Sequence, residues 1–450
     1  MSILGKKEAI ILFLGDIFLF GLSLWTALFL RFAELPNQKL LLTHIVPFSI
    51  LFAIWILVFF IAGLYEKHTL ILKSKLPNII FNAQVVNSIF AIIFFYTIPV
   101  FGITPKTILF IYLVISFASI LLWRIYGTVF LSAGVKQPAL LIGTGNEMKE
   151  LLSEVNGNSR YDISFVSSID VHNIDKMNIQ EDIITEVYSN DIKIIAIDFS
   201  HEKVTPLLPH LYNLIFSKVR FIDSHRIYED IFDKIPLSLV TYSWFLENIS
   251  ASPKFVYDTL KRIMDIIISL PLMVITIISY PFVFVALKLE DGGSIFSRQK
   301  RIGQNNQIIE LLKFRTMLFN DDGDWHNKGM VNKVTNVGKF LRRTRVDEFP
   351  QLWNVLKGDV SLIGPRPEFP DAVKHYTSQI NYYNLRHIIK PGLSGWAQLY
   401  HKLHPHHGYD VTETQNKLSY DIFYIKNRSF WLDIKIALKT IKELLSRRGI

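Results

Sequence analysis

Residues Ile266–Leu287 read IIISLPLMVITIISYPFVFVAL, an uncharged run of 22 residues interrupted by Pro271 and Pro281. A spanning helix takes about 20 apolar residues, so the run is long enough to cross a bilayer. Its flanks argue against crossing. Lys254, Lys261 and Arg262 precede it, and Lys288, Arg298, Lys300 and Arg301 follow it; basic residues favour the cytosolic side. Each proline removes a backbone donor and bends a helix. A re-entrant helix over 266–287, broken near Pro271 or Pro281, is therefore expected, with Ser269, Thr276 or Ser279 hydrogen-bonding at the break.

Upstream, Ala9–Phe32, Ile45–Leu64, Phe81–Ile103 and Thr107–Tyr126 read as four spanning helices, the third weakened by Asn82, Gln84 and Asn87. Lys6 and Lys7, then Lys67, Lys73 and Lys75, then Arg124 and Lys136 outweigh Arg31, Lys39 and Lys106 on the opposite side. The N-terminus and everything beyond residue 130 are thus expected in the cytosol. The first segment lacks a small-residue cleavage site and reads as retained. Asp16 within it is expected to reach water or pair with another helix. With 50% hydrophobic and 19% charged residues, the 450-residue chain is not disordered. Its net charge of +9 favours anionic partners, and the absence of cysteine excludes disulfides, thiolate catalysis and Cys-based zinc sites.

From Gln137 the pattern becomes strand–helix. Pro138–Ile142, Ile192–Asp198 and Val219–Asp223 read as buried strands, and Glu147–Val155 as a helix, which argues for a parallel, Rossmann-like sheet. The turn Gly143-Thr144-Gly145 could face a pyrophosphate, but Met148 stands where the third glycine of a dinucleotide fingerprint belongs, so a structural turn is expected. Tyr257-x-x-x-Lys261, outside the sheet, reads as a chance match to an oxidoreductase pair.

The densest polar chemistry lies between Asp291 and Gln398. It comprises Asp291-Gly-Gly293, Phe296-Ser-Arg-Gln299, Lys313-Phe-Arg315-Thr-Met317 and Arg342-Arg343-Thr-Arg345-Val-Asp347-Glu348-Phe-Pro350-Gln351-Leu-Trp-Asn354. Gly364-Pro365-Arg366-Pro367-Glu368 and Gly395-Trp-Ala-Gln398 follow. With Lys261-Arg262-x-x-Asp265, this ordered set closely resembles the bacterial sugar transferases, the polyprenyl-phosphate hexose-1-phosphate transferases or large monotopic phosphoglycosyl transferases. The resemblance runs from Lys261 to the C-terminus; four spans and a Rossmann-like domain are similar to the large members.

What the resemblance implies is transfer of a sugar 1-phosphate from a UDP-sugar to undecaprenyl phosphate, releasing UMP through a covalent aspartyl intermediate. This would be the first membrane step of O-antigen, capsule or exopolysaccharide synthesis. Asp347 would be the nucleophile, Glu348 its metal-binding neighbour, and Mg²⁺ (or Mn²⁺) the cofactor held by both. Lys313, Arg315, Arg342, Arg343, Arg345 and Arg366 would contact phosphates, and Gln351, Gly364, Pro365, Pro367 and Gln398 the nucleotide and sugar. The partners implied are the UDP-sugar, undecaprenyl phosphate and the lipid bilayer, without nucleic acid; a homodimer stays open. The implied place is the bacterial inner membrane, multi-pass, with the catalytic domain cytosolic.

The chemistry agrees with this. A carboxylate can attack phosphorus between two polyanions only where arginines and Mg²⁺ mask the repulsion. Arginine suits bidentate phosphate contacts, and Mg²⁺ takes one or two carboxylates plus substrate phosphates. An Asp-Glu pair beside basic residues is ordinarily a surface ion cluster; the surrounding motifs reverse that reading here.

The chain departs from the family in two places. The usual Ser-Pro helix break, about 13 residues past the Asp of Lys-Arg-x-x-Asp, is out of register. Leu399-Tyr-His401-Lys402 stands where the family has a small residue, Gly and Arg. His401, His404, His406 and His407 lack a carboxylate or cysteine framework and read as a solvated loop.

The expected plan is four transmembrane helices (1–135), an α/β Rossmann-like domain (136–250) and a mostly α catalytic domain (254–450) with the re-entrant helix. The competing readings are a membrane-bound NAD-dependent nucleotide-sugar dehydratase or epimerase, and a non-catalytic assembly scaffold. The first lacks a complete glycine fingerprint, and an intact Asp347-Glu348 and Arg366 speak against the second.

Overall fold

The computed structural model describes residues 6–65, 76–98, 106–127, 136–158, 161–172, 179–199, 201–250, 252, 254–318, 333–401 and 410–445. The chain divides into two units, Met1–Ile231 and Phe232–Ile450. Among the described residues, five helices are long and apolar enough to cross a membrane.

Four of these open the first unit: α1 (Lys6–Phe32), α2 (Gln38–Ala62), α3 (Leu76–Thr97) and α4 (Lys106–Leu122), which continues as a π-helical turn over Trp123–Gly127. Helix α2 starts ahead of the expected Ile45 because Asn37 caps it, accepting from Leu40 N at 2.8 Å. Helix α3 starts ahead of Phe81, and its polar residues face the bundle. Gln84 Nε2 donates to Ser116 Oγ (3.3 Å), Asn87 Nδ2 to Gln84 Oε1 (3.3 Å), and Trp55 Nε1 to the Asn87 carbonyl (3.1 Å). Polarity that weakened the hydropathy signal thus joins helices together. The basic residues Lys67, Lys73 and Lys75 lie outside the described residues.

Asp16 is paired. Its carboxylate accepts from Tyr65 Oη (2.8 Å) and from Arg124, while Arg124 Nη1 donates to the Leu64 carbonyl (2.6 Å). Both charged side chains are fully buried. Gly15 permits the contact between α1 and the turn after α4, since a Cβ there would lie 2.5 Å from the Trp123 ring. Removing one partner of such a pair leaves an uncompensated charge, at about 3–5 kcal/mol. Asp16→Ala should therefore lower the thermal midpoint of the detergent-solubilised chain, and adding Arg124→Leu should recover part of the loss. A double variant no better than the single one would show that the pair does not join these helices.

The first unit continues as β1 (Gln137–Gly143), α5 (Gly145–Gly157), β2 (Ile163–Asp170), α6 (Ile179–Ser189), β3 (Ile194–Ile197), α7 (Leu208–Tyr212), β4 (Arg220–Asp223) and α8 (Ser224–Phe232). The four strands form one parallel sheet in the order β2-β1-β3-β4. Leu140, Ile142, Ile195 and Ile197 form its core with Leu207 and Leu211. Sequence reading missed β2, because its residues alternate between buried and exposed and include three serines. Met148 covers Gly143, where an added Cβ would meet Met148 Cγ at 2.8 Å. The Cβ position of Gly143 is therefore occupied by Met148.

The second unit contains α9 (Tyr242–Asn248), α10 (Phe255–Asp291), the antiparallel hairpin β5 (Phe296–Ile302) and β6 (Ile308–Phe314), α11 (Asn336–Thr344), α12 (Gln351–Lys357) and β7 (Ser361–Ile363). It ends with α13 (Pro370–Gln379), β8 (Gly392–Ser394), α14 (Trp396–Tyr400), α15 (Val411–Asn427) and α16 (Phe430–Leu445). Strands β7 and β8 pair in parallel. The second unit begins ahead of the expected boundary near 250–254. Ile235, Val240, Trp244 and Phe245 bury against Ala372, Tyr376, Leu418 and Ile422, so residues from 232 belong to this unit.

Helix α10 does not stop at Pro271 or Pro281: both lie inside one helix of 37 residues. A proline costs one hydrogen bond and bends a helix without having to end it. Thr276 Oγ1 donates to the Leu272 carbonyl (2.8 Å) and Ser279 Oγ to that of Thr276 (2.9 Å); Ser269 is buried. Both ends of α10 hold the same unit. Near its start, Arg262 donates to the carbonyls of Val355 and Leu356 (2.6 Å each), and Asp265 accepts from Ser361 Oγ and Leu362 N (3.0 Å each). At its end, Val283 and Leu287 pack with Phe314 and Leu341, and Glu290 accepts from Asn336 N at 2.6 Å. Between them, Ile267, Ile277, Ile278 and Phe282 are exposed.

Candidate active site

The site starts from a helix end. Thr335 caps α11 by accepting from Gly338 N (2.9 Å), and Gly338 must be glycine because a Cβ would lie 2.1 Å from the Thr316 carbonyl oxygen. This docks α11 on the segment following β6. Arg345 ends the helix in the left-handed region (φ 58°), and the chain turns at once into one 3₁₀ turn, Val346–Glu348. A non-glycine residue held at positive φ is strained. The strain reverses the chain so that Asp347 and Glu348 turn toward the end of β6.

The two carboxylates differ. Glu348 Oε1 receives Lys313 Nζ at 3.2 Å and Arg366 Nη2 at 2.9 Å, and Arg345 Nη1 lies 4.0 Å from Oε2. Burial pushes the Glu348 carboxyl up, but Arg366, Lys313 and Arg345 overcome it and hold the group well below the usual range. Asp347 is 7% exposed, and its Oδ1 is buried without a hydrogen-bond partner. Burial, and then the Glu348 charge, push its carboxyl up against the opposing pull of Lys313, Arg342 and Arg345. Burial pushes Lys313 down, with Glu348 opposing.

Several expected residues assemble here and others do not. Lys313, Arg345 and Arg366 reach Glu348, while Arg342 acts on Asp347 and donates through Nε to Thr316 Oγ1 at 2.9 Å. Arg343 is exposed on α11 and appears in none of these contacts. Arg315, expected at a phosphate, here clamps Asp291. Its guanidinium takes both Asp291 oxygens, Nε donates to the Ser294 carbonyl (2.6 Å), and Nη1 to those of Met317 (3.1 Å) and Leu318 (3.3 Å). The Arg315 hydrogen bonds draw the Asp291 carboxyl down to about 2. Gly293 lets the guanidinium lie flat on the turn, since a Cβ would sit 2.7 Å from Arg315 Nη2.

Gln351 is buried, its Nε2 without a hydrogen-bond partner, one turn after Asp347. Gly364, Pro365 and Gln398 belong to the close contact of β7 with β8, where Gly392 N donates to the Pro365 carbonyl at 2.9 Å, and Pro367 follows Arg366 in the same loop. Tyr257 and Lys261 are both engaged with Asp433, at 3.0 and 2.9 Å, which speaks against the oxidoreductase pair. His401 bonds Glu413 (2.8 Å); His404, His406 and His407 lie outside the described residues. Among the described residues, no group of three metal-ligating side chains occurs.

Sequence reading missed the ionic group Glu368, Arg386, Lys417 and Asp421, whose members come together only on folding. It also gave no role to Asn354, which ties α12 to β6 by accepting from Leu312 N (3.1 Å) and donating to the Glu310 carbonyl (2.7 Å).

Two adjacent carboxylates, one clamped by cations and one with a buried unpartnered oxygen, fit a divalent cation completed by substrate phosphates. Fold and site together define a membrane protein with a carboxylate pair ringed by lysine and arginine. The profile of the family described as "Bacterial sugar transferase" matches residues 256–447. The chain is 35% identical over 191 residues to the uncharacterized sugar transferase EpsL of Bacillus subtilis, covering 42% of this chain and 90% of that one. It is 41% identical over 207 residues to the UDP-N-acetylgalactosamine-undecaprenyl-phosphate N-acetylgalactosaminephosphotransferase of Aeromonas hydrophila (44% of this chain, 47% of that one). The identity is 35% over 212 residues to the UDP-glucose:undecaprenyl-phosphate glucose-1-phosphate transferase of Escherichia coli (44% of each). With the last two, the match spans less than half of the relative's length. The chain belongs to the bacterial sugar transferase family.

Proposed function

We propose that this protein transfers a sugar 1-phosphate from a UDP-sugar to undecaprenyl phosphate, releasing UMP, as the first membrane step of surface polysaccharide synthesis. The observation that carries the reading is the asymmetric pair, with Asp347 buried and unpartnered at Oδ1 beside a Glu348 clamped by Lys313, Arg366 and Arg345. The names of the relatives supply the substrates.

In this mechanism the Asp347 carboxylate attacks the sugar-bearing phosphorus of the UDP-sugar. The P–O bond to the uridine-bearing phosphate breaks, UMP leaves with that electron pair, and a sugar-phosphoryl aspartate remains. An oxygen of undecaprenyl phosphate then attacks the same phosphorus, the acyl-phosphate P–O bond breaks, and Asp347 returns as a carboxylate. Lys313, Arg345 and Arg366 offset the negative charge on the transferring group, and Arg342 lies on the Asp347 side. Asp347 and Glu348 would hold Mg²⁺ (or Mn²⁺), which when bound supplies charge neutralisation to the phosphates. A panel of UDP-sugars with undecaprenyl phosphate, read by UMP release, tests the function; no release from any of them overturns it.

The membrane arrangement follows from α10. A straight helix of its length would extend about 55 Å, yet residues 262–265 and 287–291 both bind the second unit. That both ends hold one unit supports a path in which residues 266–287 enter and return, with the residues flanking them at the cytosolic face of the bacterial inner membrane. Cysteines placed at Thr259 and Ser294, in a chain that has none, should react with an impermeant thiol reagent only from the cytosolic side. Labelling at 294 from outside intact cells would sink the re-entrant arrangement.

A further inference from the structure

Arg366 reaches Glu348 from the loop Gly364–Glu368, between β7 and α13. Pro365 and Pro367 have no N–H to donate, so beyond Gly364, whose N–H donates to the Ser394 carbonyl (2.8 Å), the loop is tied down through its carbonyls. Gly392 N donates to the Pro365 carbonyl (2.9 Å), Arg301 Nη1 to that of Pro367 (3.3 Å), and Ile302 N to that of Glu368 (2.9 Å). The carbonyl of Arg366 itself receives Arg386 Nη2 at 3.0 Å.

Arg386 is 2% exposed and lies in the 3₁₀ turn Tyr383–His387. The rest of its guanidinium is equally committed. Nη1 donates to Tyr383 Oη (2.7 Å) and lies 3.5 Å from Glu368 Oε1, and Nη2 lies 2.8 Å from Asp421 Oδ2. Lys417 binds the same Glu368 oxygen. Two cations and two carboxylates thus form a formally neutral group behind the backbone of Arg366, with Arg386 and Asp421 buried and Glu368 and Lys417 half-buried. Such groups are poor sources of stability, because desolvation offsets the attraction. What this one supplies is orientation: a planar fork hydrogen-bonded to Tyr383 and ion-paired with Asp421 can present one N–H to a fixed carbonyl.

We infer that Arg386 is a positioning residue for the proposed transfer, fixing the backbone at Arg366 and hence the seat of the Arg366 guanidinium on Glu348 beside Asp347. The inference rests on the functional reading above. A lysine at 386 keeps the charge but cannot hold Asp421 and the Arg366 carbonyl from one rigid plane. The Arg366 side chain would then lose its fixed seat, and a misplacement of about 1 Å can cost about 100-fold in rate.

The test is a cycle of Arg386→Lys, Arg366→Lys and the double variant in the full-length chain. The probes are undecaprenyl phosphate and whichever UDP-sugar gives the fastest UMP release. Arg386→Lys should lower kcat by roughly 10- to 100-fold, with KM for the UDP-sugar changed less than about 3-fold. In the Arg366→Lys background the same change should lower kcat by less than about 3-fold, because the positioned group is already altered. Its effect on the thermal midpoint should be equal in both backgrounds, which a merely structural role would mirror in kcat. Equal losses of kcat in the two backgrounds, or an unchanged kcat in Arg386→Lys, overturn the inference. Should Arg386→Lys not fold, Asp421→Asn takes its place in the cycle, since it loosens the guanidinium without removing it. The same non-additive loss of kcat is then expected, and equal losses overturn the inference as before. A wild-type chain that releases no UMP overturns the functional reading and this inference together, whereas an active wild type with additive losses overturns this inference alone.

Discussion

Asp347→Asn should lower sugar-phosphate transfer by about 1,000-fold or more, since the amide keeps the shape of the side chain but removes the nucleophilic charge. Wild-type kinetics should be ping-pong, and a quenched reaction with UDP-sugar alone should carry a sugar-phosphate adduct on Asp347 in peptide mass spectra. Without a divalent cation, burial and the Glu348 charge raise the Asp347 pKa. Near-wild-type turnover in Asp347→Asn would falsify the mechanism, as would an adduct mapped elsewhere.

The largest effect on stability is expected from Gly392→Ala. A Cβ at this position would lie 2.0 Å from Gly364 N and 2.5 Å from Ile363 C. Both are backbone atoms of the paired strand, so no side chain can swing aside. Around them, Ser361 N donates to the Pro391 carbonyl (2.9 Å), Gly364 N to that of Ser394 (2.8 Å), and Gly392 N to that of Pro365 (2.9 Å). Overpacking against movable side chains costs about 1–3 kcal/mol, and against backbone the cost should reach or exceed the top of that range. The displaced loop carries Arg366, so activity should fall with stability. Gly157→Ala is the matched control, because a Cβ there meets nothing within 4 Å. Equal thermal midpoints for the two variants would show that the β7–β8 contact tolerates a side chain.

Hydropathy gave the apolar helices, because lipid exposure demands about 20 apolar residues in a row whatever their neighbours are. It misjudged the start of α3, where Gln84 and Asn87 turn into the bundle, and it left the partner of Asp16 open. That partner, Arg124, is 108 residues away and is found only by packing α1 beside α4. The hairpin β5–β6 was hidden because Arg298, Lys300 and Arg301 read as a basic run. The alternation that makes them a strand places Ser297 and Gln299 on the buried face.

At the site, the motif order identified Asp347, Glu348, Lys313 and Arg366 as one set, because residue type and local spacing are properties of the sequence. Their division of labour is not. Arg315 and Lys313 are two residues apart in the chain, yet Lys313 lies on Glu348 and Arg315 on Asp291. Arg342 and Arg343 are adjacent, yet only Arg342 acts on Asp347. Sequence alone determined which charges this protein carries near its carboxylate pair and how much of the chain lipid can cover. Tertiary structure alone decided which cation meets which carboxylate and what stands behind Arg366. A charge selects its partner by distance and burial, and those exist only once strands, helix ends and loops far apart in the chain have been brought together.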